Sequence, residues 1–226
     1  MLLSLEHRAV GDAIVVTCNG KLIAGEEADA LQTLLEELTP RTRHLVLHLG
    51  AVDFMDSSGL GLLVRYLSRA QRSKGSLSVC AVSPKIDEVL RVTRLKTVFP
   101  PYESEAEAIT DAYRRDALGA EAPGTTVLCV DASSNVGAYL RELLKAAGYR
   151  AITAQNLADA LILMIATKPK VVVLSADLKN QRSTRAAQEF HNMAAERAVV
   201  VLPEEFSGRE ATAAADEVLR AVRAAS

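Results

Sequence analysis

One stretch of the sequence, between residues 45 and 72, restricts the fold more than any other. An apolar run at Leu45–Leu49 predicts a buried strand, and an amphipathic pattern with apolar residues three or four positions apart continues to about Arg72. Between them lies the octapeptide Phe54–Gly61 (Phe-Met-Asp-Ser-Ser-Gly-Leu-Gly), which combines an acid, two hydroxyls and two glycines. The pattern therefore predicts a strand that turns directly into a helix, as in folds where helices cover a sheet.

The segments around this turn predict a mixed sheet in the first half of the chain. A hairpin is predicted around Gly11-Asp12, between strands at Leu2–Arg8 and Ile14–Cys18. Helix and strand patterns then alternate, as expected for a sheet covered by helices. The further predicted elements are a helix from Gly25 to Leu38, a strand at Ser78–Val82, a helix from Pro84 to Leu90, a brief edge strand at Thr97–Phe99 and a helix at Ser104–Ala117.

A stretch of small and polar residues, Leu118–Thr125, is the predicted domain boundary. Beyond it the strands are continuous runs of Val, Leu and Ile, which is typical of a parallel sheet buried on both faces. They are Thr126–Val130, Arg150–Ala154, Lys170–Leu174 and Ala198–Leu202, with helices at Asn135–Ala147, Asn156–Ala166, Ser183–Glu196 and Arg209–Arg223. We therefore expect an α/β chain with a mixed-sheet domain at residues 1–117, a linker at 118–125 and a small doubly wound domain at 126–226.

The octapeptide places its polar groups where a helix begins, and two roles for them remain open. The first backbone N–H groups of a helix lack intrahelical partners, and the helix dipole favours negative charge there. A carboxyl or hydroxyl group at this position can cap the helix. A hydroxyl can also accept a phosphoryl group, whose added charge of about −1.5 to −2 the dipole and the free amides would stabilise. The roles are compatible, since one group can cap while its neighbour accepts phosphate.

Residues 1–117 resemble the STAS domain of bacterial anti-sigma factor antagonists, on the strength of the octapeptide in its strand-to-helix setting, the leading hairpin and the Ser83-Pro84 helix start. The resemblance implies a non-enzymatic module that holds an anti-sigma factor/serine kinase and releases it after phosphorylation of Ser57. It also implies that Asp56 contributes to recognition by the kinase and that the two glycines keep the helix start narrow. The implied partner-binding residues are Asp56, Ser58, Gly59, Leu60 and Gly61. A serine phosphatase is a further implied partner.

Residues 125–205 resemble the receiver domain of response regulators less closely, because several residues that receiver chemistry needs are replaced. Functional receivers carry two acids after the first strand, an acid after the third and a hydroxyl residue after the fourth. The matching positions here hold Asp131 followed by Ala132, then Ser175, then Pro203. Asp177 reaches the acceptor position only with a two-residue shift. We therefore expect a degenerate receiver-like domain without Mg²⁺ or phosphotransfer, which serves for docking or for homodimerisation.

Composition and charge exclude several other classes. A net charge of −2, 4% aromatic residues and the absence of Trp argue against nucleic-acid binding. The three cysteines lie in apolar runs without CxxC spacing, and the four histidines lack metal-ligand spacing, so we expect no metal, no cofactor and no catalytic residues. The N-terminal segment has no signal pattern, and no run approaches the roughly 18 apolar residues of a membrane span. These features predict a cytoplasmic protein without membrane insertion.

Two alternatives to an antagonist remain open. One is a non-catalytic scaffold or adaptor in a signalling or transport assembly, with the receiver-like domain as its docking or dimerisation module. The other is an active receiver in a phosphorelay, which Ala132, Ser175 and Pro203 disfavour. Phosphate mapping separates the three, since it would find phosphate on Ser57, on no residue, or as a labile group on Asp131 or Asp177.

Overall fold

The computed structural model describes residues 2–73, 75–119, 124–202, 206 and 211–225. The chain divides into two compact units, Met1–Ala112 and Tyr113–Ser226. A helix at Glu105–Gly119 crosses this division, and residues 120–123 of the predicted linker lie outside the described residues. Each unit has its own sheet.

The first unit is a mixed four-stranded sheet with helices, as the sequence predicted. Its elements are β1 (Ser4–Val10), β2 (Ala13–Leu22), α1 (Glu26–Leu38), β3 (His44–Met55), α2 (Ser57–Arg72), β4 (Ser76–Cys80), α3 (Pro84–Val92) and α4 (Glu105–Gly119). The strand order is β1-β2-β3-β4. The β1–β2 pair is an antiparallel hairpin around Gly11, which has φ 62°, and the β2–β3 and β3–β4 pairs are parallel.

One apolar core of this unit fixes α1, α2 and α3 relative to the sheet. It joins strand residues such as Val16, Leu47 and Val79 to one face of each helix. The helix residues in the core include Leu31, Leu35 and Leu38 of α1, Leu62, Leu63 and Leu67 of α2, and Ile86 and Leu90 of α3. Because burying one Leu or Ile side chain stabilises the fold by about 1.5–3 kcal/mol, these three helices are held firmly against the sheet.

The predicted edge strand at Thr97–Phe99 is wrong. Arg94, two residues after the end of α3, has the left-handed conformation (φ 57°), and a 3₁₀ turn at Leu95–Thr97 follows. Phe99 is buried in the core, and its N–H donates to the Leu95 carbonyl oxygen at 2.6 Å. The apolar residues that looked like a short strand therefore serve to anchor a turn. The sheet contact in this region is an isolated bridge between Cys80 and Tyr102.

The second unit contains the predicted parallel sheet. Its elements are β5 (Thr126–Val130), α5 (Ser134–Ala146), β6 (Arg150–Ala154), α6 (Leu157–Thr167), β7 (Val171–Ser175), α7 (Ala176–Lys179), α8 (Arg185–Ala194), β8 (Ala198–Leu202) and α9 (Ala211–Ala225). The strand order is β6-β5-β7-β8, and every pair is parallel. The short helix α7 was not predicted. The three residues from Val171 to Val173 have no exposed surface, as expected for a strand covered on both faces.

All three cysteines of the chain are free and buried in strands. They are Cys18 in β2, Cys80 in β4 and Cys129 in β5. Burial disfavours the charged thiolate and raises the pKa of each thiol to about 12. At neutral pH the three side chains are therefore small, uncharged core residues.

Candidate functional site

The candidate site is the junction between β3 and α2. Met55, the last residue of β3, is buried, and Asp56 is the N-cap residue of α2 with extended backbone angles (φ −95°, ψ −175°). Ser57 and Ser58 form the first turn of the helix, and both are exposed. Strand β3 lies between β2 and β4, and α2 packs into the core, so two firmly held elements present the serines to solvent.

The cap of α2 is the carboxylate of Asp56. Its Oδ1 accepts hydrogen bonds from the backbone N–H groups of Ser58 (2.9 Å) and Gly59 (3.0 Å). Its Oδ2 accepts a third from the N–H of Ala24 (2.9 Å), which lies in the segment between β2 and α1. The acid therefore caps one helix and ties it to the segment that leads into another.

This arrangement corrects one expectation about the helix start. The N–H groups of Ser58 and Gly59 are not free to stabilise a phosphate, because the Asp56 carboxylate already occupies them. A phosphate on Ser57 would lie beside that carboxylate, which keeps these two donors. The helix dipole is then the interaction that favours the negative charge of a phosphate at this position.

The pKa of Asp56 is lowered below its ordinary value. The largest cause is the hydrogen bond from the N–H of Ala24, followed by that from Gly59, and Ser58 adds a smaller contribution. A carboxyl with a lowered folded-state pKa stabilises the fold above its unfolded-state pKa and loses this contribution as the pH falls through the folded-state value. The cap is therefore complete at neutral pH and is lost only in acid, below the ordinary value of 3.8.

Replacing Asp56 by alanine is expected to lower the melting temperature of the first unit by about 5 °C, the shift expected when a domain of this size loses a helix cap. The matched control is Asp53→Ala, because Asp53 is exposed on the same strand end and its carboxylate accepts no hydrogen bond from the described residues. Thermal unfolding by circular dichroism measures both variants. Equal melting temperatures for Asp56→Ala and the wild type would contradict the role of Asp56 as a cap.

The hydroxyls of Ser57 and Ser58 are available for chemistry. Neither hydroxyl has a hydrogen-bond partner among the described residues, and Asp56 already supplies the cap. A modification of either hydroxyl therefore breaks no bond that the hydroxyl makes in the fold. The two side chains differ in direction, since successive residues of an α-helix are rotated by about 100°.

The two glycines of the octapeptide lie in opposite environments. Gly59 is buried, and a Cβ atom on it would meet Leu22 Cγ, the Leu22 carbonyl oxygen and Met55 Cγ, each at 2.8 Å. Gly61 is exposed, and a Cβ atom there would meet nothing within 4 Å. Of the residues predicted for partner binding, Ser58 and Gly61 lie on the surface, Asp56 and Leu60 are half-buried, and Gly59 faces inward.

Phe54 is a surface residue that was not among the predicted partner-binding residues. Its side chain is 53% exposed near the end of β3, three residues before Ser57, and its strand partner is Lys21 of β2. Large exposed aromatic side chains are frequent anchors of protein interfaces. The signal in the sequence that could have indicated this exposure is the position of Phe54, which follows the charged Asp53 and lies beyond the apolar run Leu45–Leu49.

In the second unit, two of the positions that the sequence compared with receiver residues lie at the ends of β5 and β7. Asp131 follows β5, and its Oδ1 accepts a hydrogen bond from the N–H of Ser133 (2.8 Å). Burial raises the pKa of Asp131 above its ordinary value, and the nearby carboxylate of Asp177 adds to the rise. Ser175 ends β7 with a buried hydroxyl that has no hydrogen-bond partner among the described residues. The remaining positions are Ala132, which is exposed, and Pro203, which lies outside the described residues.

Among the described residues, no group of three or more His, Cys, Asp or Glu residues could hold a metal ion. His44 is buried, with its Nδ1 2.8 Å from the Ser76 hydroxyl. None of the helices described is both long enough and apolar enough to cross a membrane.

The part of the chain that carries this site is similar to known proteins. A family model described as the STAS domain matches residues 4–108. The anti-sigma F factor antagonist of Paenibacillus polymyxa is 31% identical over 107 residues, which are 46% of this chain and 88% of that protein. BtrV of Bordetella bronchiseptica, named as an anti-sigma factor antagonist, is 25% identical over 104 residues, 46% of this chain and 89% of that protein. A solved structure of a Thermotoga maritima protein described in the same terms is 24% identical, with a TM-score of 0.45 over 48% of this chain and 93% of that one.

Proposed function

Residues 4–108 of this chain belong to the STAS-domain family of the anti-sigma factor antagonists, and from that premise we propose that the protein is a phosphorylation-controlled antagonist in a partner-switching pathway. Unphosphorylated, it binds an anti-sigma factor/serine kinase in the cytoplasm through the exposed start of α2. Phosphorylation of Ser57 releases this partner, and a serine phosphatase restores binding. The proposal assigns the protein a binding role and no reaction of its own.

The observation that carries the proposal is the exposed, unbonded hydroxyl of Ser57 beside a cap supplied by Asp56. If Ser57 were itself the N-cap residue, its phosphorylation would alter the group that holds the first turn of the helix. Because the cap belongs to the neighbouring carboxylate, the hydroxyl can be modified while the helix start keeps its hydrogen bonds. This arrangement favours a change of partner over a change of structure.

The physical basis of release is the cost of burying charge. A phosphate adds about −1.5 to −2 charges, and it would lie next to the ionised Asp56. A partner that covers this surface must desolvate both groups or place an acid against them, which costs a few kcal/mol. Since each 1.4 kcal/mol changes affinity tenfold, the phosphorylated protein loses its partner.

For the second unit we propose a degenerate receiver-like domain at residues 126–226, which docks a partner or forms a homodimer. The strand order β6-β5-β7-β8 supports this, because it corresponds to the order 2-1-3-4 at the start of one common doubly wound sheet. Ser175 at the end of β7 supplies no carboxylate for an acyl phosphate. The boundaries 1–117, 118–125 and 126–226 are part of the same proposal.

The test is phosphate mapping by mass spectrometry after incubation with the purified anti-sigma kinase of the source organism and ATP. We expect phosphate on Ser57 and none on Asp131 or Asp177. Ser57→Ala should abolish transfer of phosphate from ATP to the protein. The matched variant Ser58→Ala should still accept phosphate, because it retains Ser57. Phosphate that persists in Ser57→Ala, or a kinase that modifies no residue, would overturn the proposal.

A further inference from the structure

The exposed side of α2 continues from the serines into a row of arginines. Arg65, Arg69 and Arg72 are exposed, and α2 contains no acidic residue. On a helix with 3.6 residues per turn, Ser57, Gly61 and these arginines fall within roughly one third of the circumference. We name Arg65, Arg69 and Arg72 the basic face of α2.

No acid of the described residues forms an ion pair with an arginine of the basic face. Arg65 donates to the side-chain amide of Gln32, and the guanidinium groups of Arg65 and Arg69 lie 5.6 and 6.0 Å from the ring centre of Tyr66. Other arginines of the same unit are ion-paired, such as Arg8 with Glu105 and Arg91 with Glu88. The basic face is therefore available to an external acid.

The neighbouring helix has the opposite charge. Helix α1 carries five acidic residues and no basic one: Glu26, Glu27, Asp29, Glu36 and Glu37. It packs beside α2, where the Tyr66 hydroxyl donates to the Gln32 carbonyl oxygen at 3.1 Å. Gln32 separates the two charges, because its amide accepts from Arg65 and donates to Glu36 (2.9 Å).

This alternation of charge selects the class of partner. A nucleic acid or an anionic membrane presents negative charge over a wide area. When α2 attracts such a surface, the neighbouring acidic α1 repels it. A protein can place acids opposite α2 alone. From this charge complementarity we infer that the basic face of α2 docks an acidic surface of the anti-sigma kinase.

The inference rests on the proposed function, and the dimensions of the helix agree with it. A standard interface buries roughly 800 Å² on each side, which corresponds to a patch of roughly 16 Å radius. Along the helix Arg65 lies about 12 Å from Ser57 and Arg69 about 18 Å. A kinase centred on Ser57 therefore covers Arg65 and meets Arg69 at its rim, where charges chiefly set the association rate. The phosphate on Ser57 adds negative charge at the end of a row that otherwise attracts the partner.

Charge variants of the full chain test this inference. We expect Arg65→Glu/Arg69→Glu to lower the association rate constant with the purified kinase about tenfold at low salt, and Arg65→Gln/Arg69→Gln to give an intermediate value. The control Lys145→Glu/Lys179→Glu changes net charge equally on exposed residues of the second unit and should leave the rate unchanged. Surface plasmon resonance at low and high salt measures the rates, and the difference between variants should shrink in high salt. Circular dichroism checks that each variant is folded.

The contrary outcomes separate this inference from the function on which it rests. If Ser57→Asp releases the kinase but the arginine variants associate like the wild type, the basic face is not a docking surface and the proposed function stands. If Lys145→Glu/Lys179→Glu lowers the association rate constant as much as the arginine variants do, the effect is one of net charge and the inference is wrong. The inference is also wrong if the arginines are needed for binding to phosphatidylserine vesicles or duplex DNA but do not affect binding of the kinase. A wild-type chain that binds no kinase at all would overturn both proposals.

Discussion

Ser57→Asp is expected to weaken binding of the anti-sigma kinase about a hundredfold or more, while the far-UV spectrum and the melting temperature stay close to those of the wild type. The added carboxylate lies beside the ionised Asp56 on an exposed helix start, so the free protein accommodates it in water. In the complex the same charge must be desolvated at a cost of a few kcal/mol. Isothermal titration calorimetry with the purified kinase measures the change.

Two further variants separate charge from position. Ser57→Ala removes the hydroxyl without adding charge and should keep near wild-type affinity. Ser58→Asp adds the same charge about 100° further around the helix and should have a smaller effect. Loss of the folded spectrum in Ser57→Asp would show that the site controls structure, and equal affinity of all three variants would show that the start of α2 is not the binding surface.

Gly59→Ala is expected to destabilise the first unit by about 1–3 kcal/mol, in spite of the better helix propensity of alanine. Its Cβ would lie 2.8 Å from the carbonyl oxygen of Leu22, a backbone atom that cannot rotate away. The start of α2 would therefore have to move away from β2. Urea unfolding by circular dichroism measures the loss, and hydrogen exchange of the α2 amides assigns it to this unit.

Gly61→Ala is the matched control, since it is the same substitution two residues further along the same helix. The space around Gly61 is open, so only the propensity gain of about 0.5–1 kcal/mol remains and the variant should be more stable than the wild type. Opposite signs for the two variants would demonstrate close packing at Gly59. A stabilised Gly59→Ala would contradict the packing described for the octapeptide.

The strand-to-helix turn could be predicted from sequence because its signals are local. An apolar run, a group of capping residues and a period of three to four all lie between Leu45 and Arg72. The identity of the cap was not predictable in the same way, since Asp56 and Ser57 are both favoured capping residues. The bond to Ala24 joins residues 32 positions apart and has no local signal.

The remaining differences arise from packing. The inward position of Gly59 could have been found, because Gly59 lies four residues before the buried Leu63 and so shares its helix face. The turn at Leu95–Thr97 could not have been predicted from the sequence, because a short apolar run such as the one ending at Phe99 fits a strand or a buried turn equally well. The exposure of Phe54 depends on irregular pairing of β2 with β3, where the register shifts between Gly20 and Lys21.

The burial of the cysteines offers a practical advantage for following partner exchange in real time. Maleimide reagents react with thiolates, and thiols with a pKa of about 12 in the core contribute almost none at neutral pH. The nearly isosteric substitution Ser68→Cys would therefore place the one reactive thiol on the exposed side of α2, near the rim of the proposed interface, without removal of any native cysteine. A fluorophore attached there would report the arrival and departure of the kinase as a change in emission.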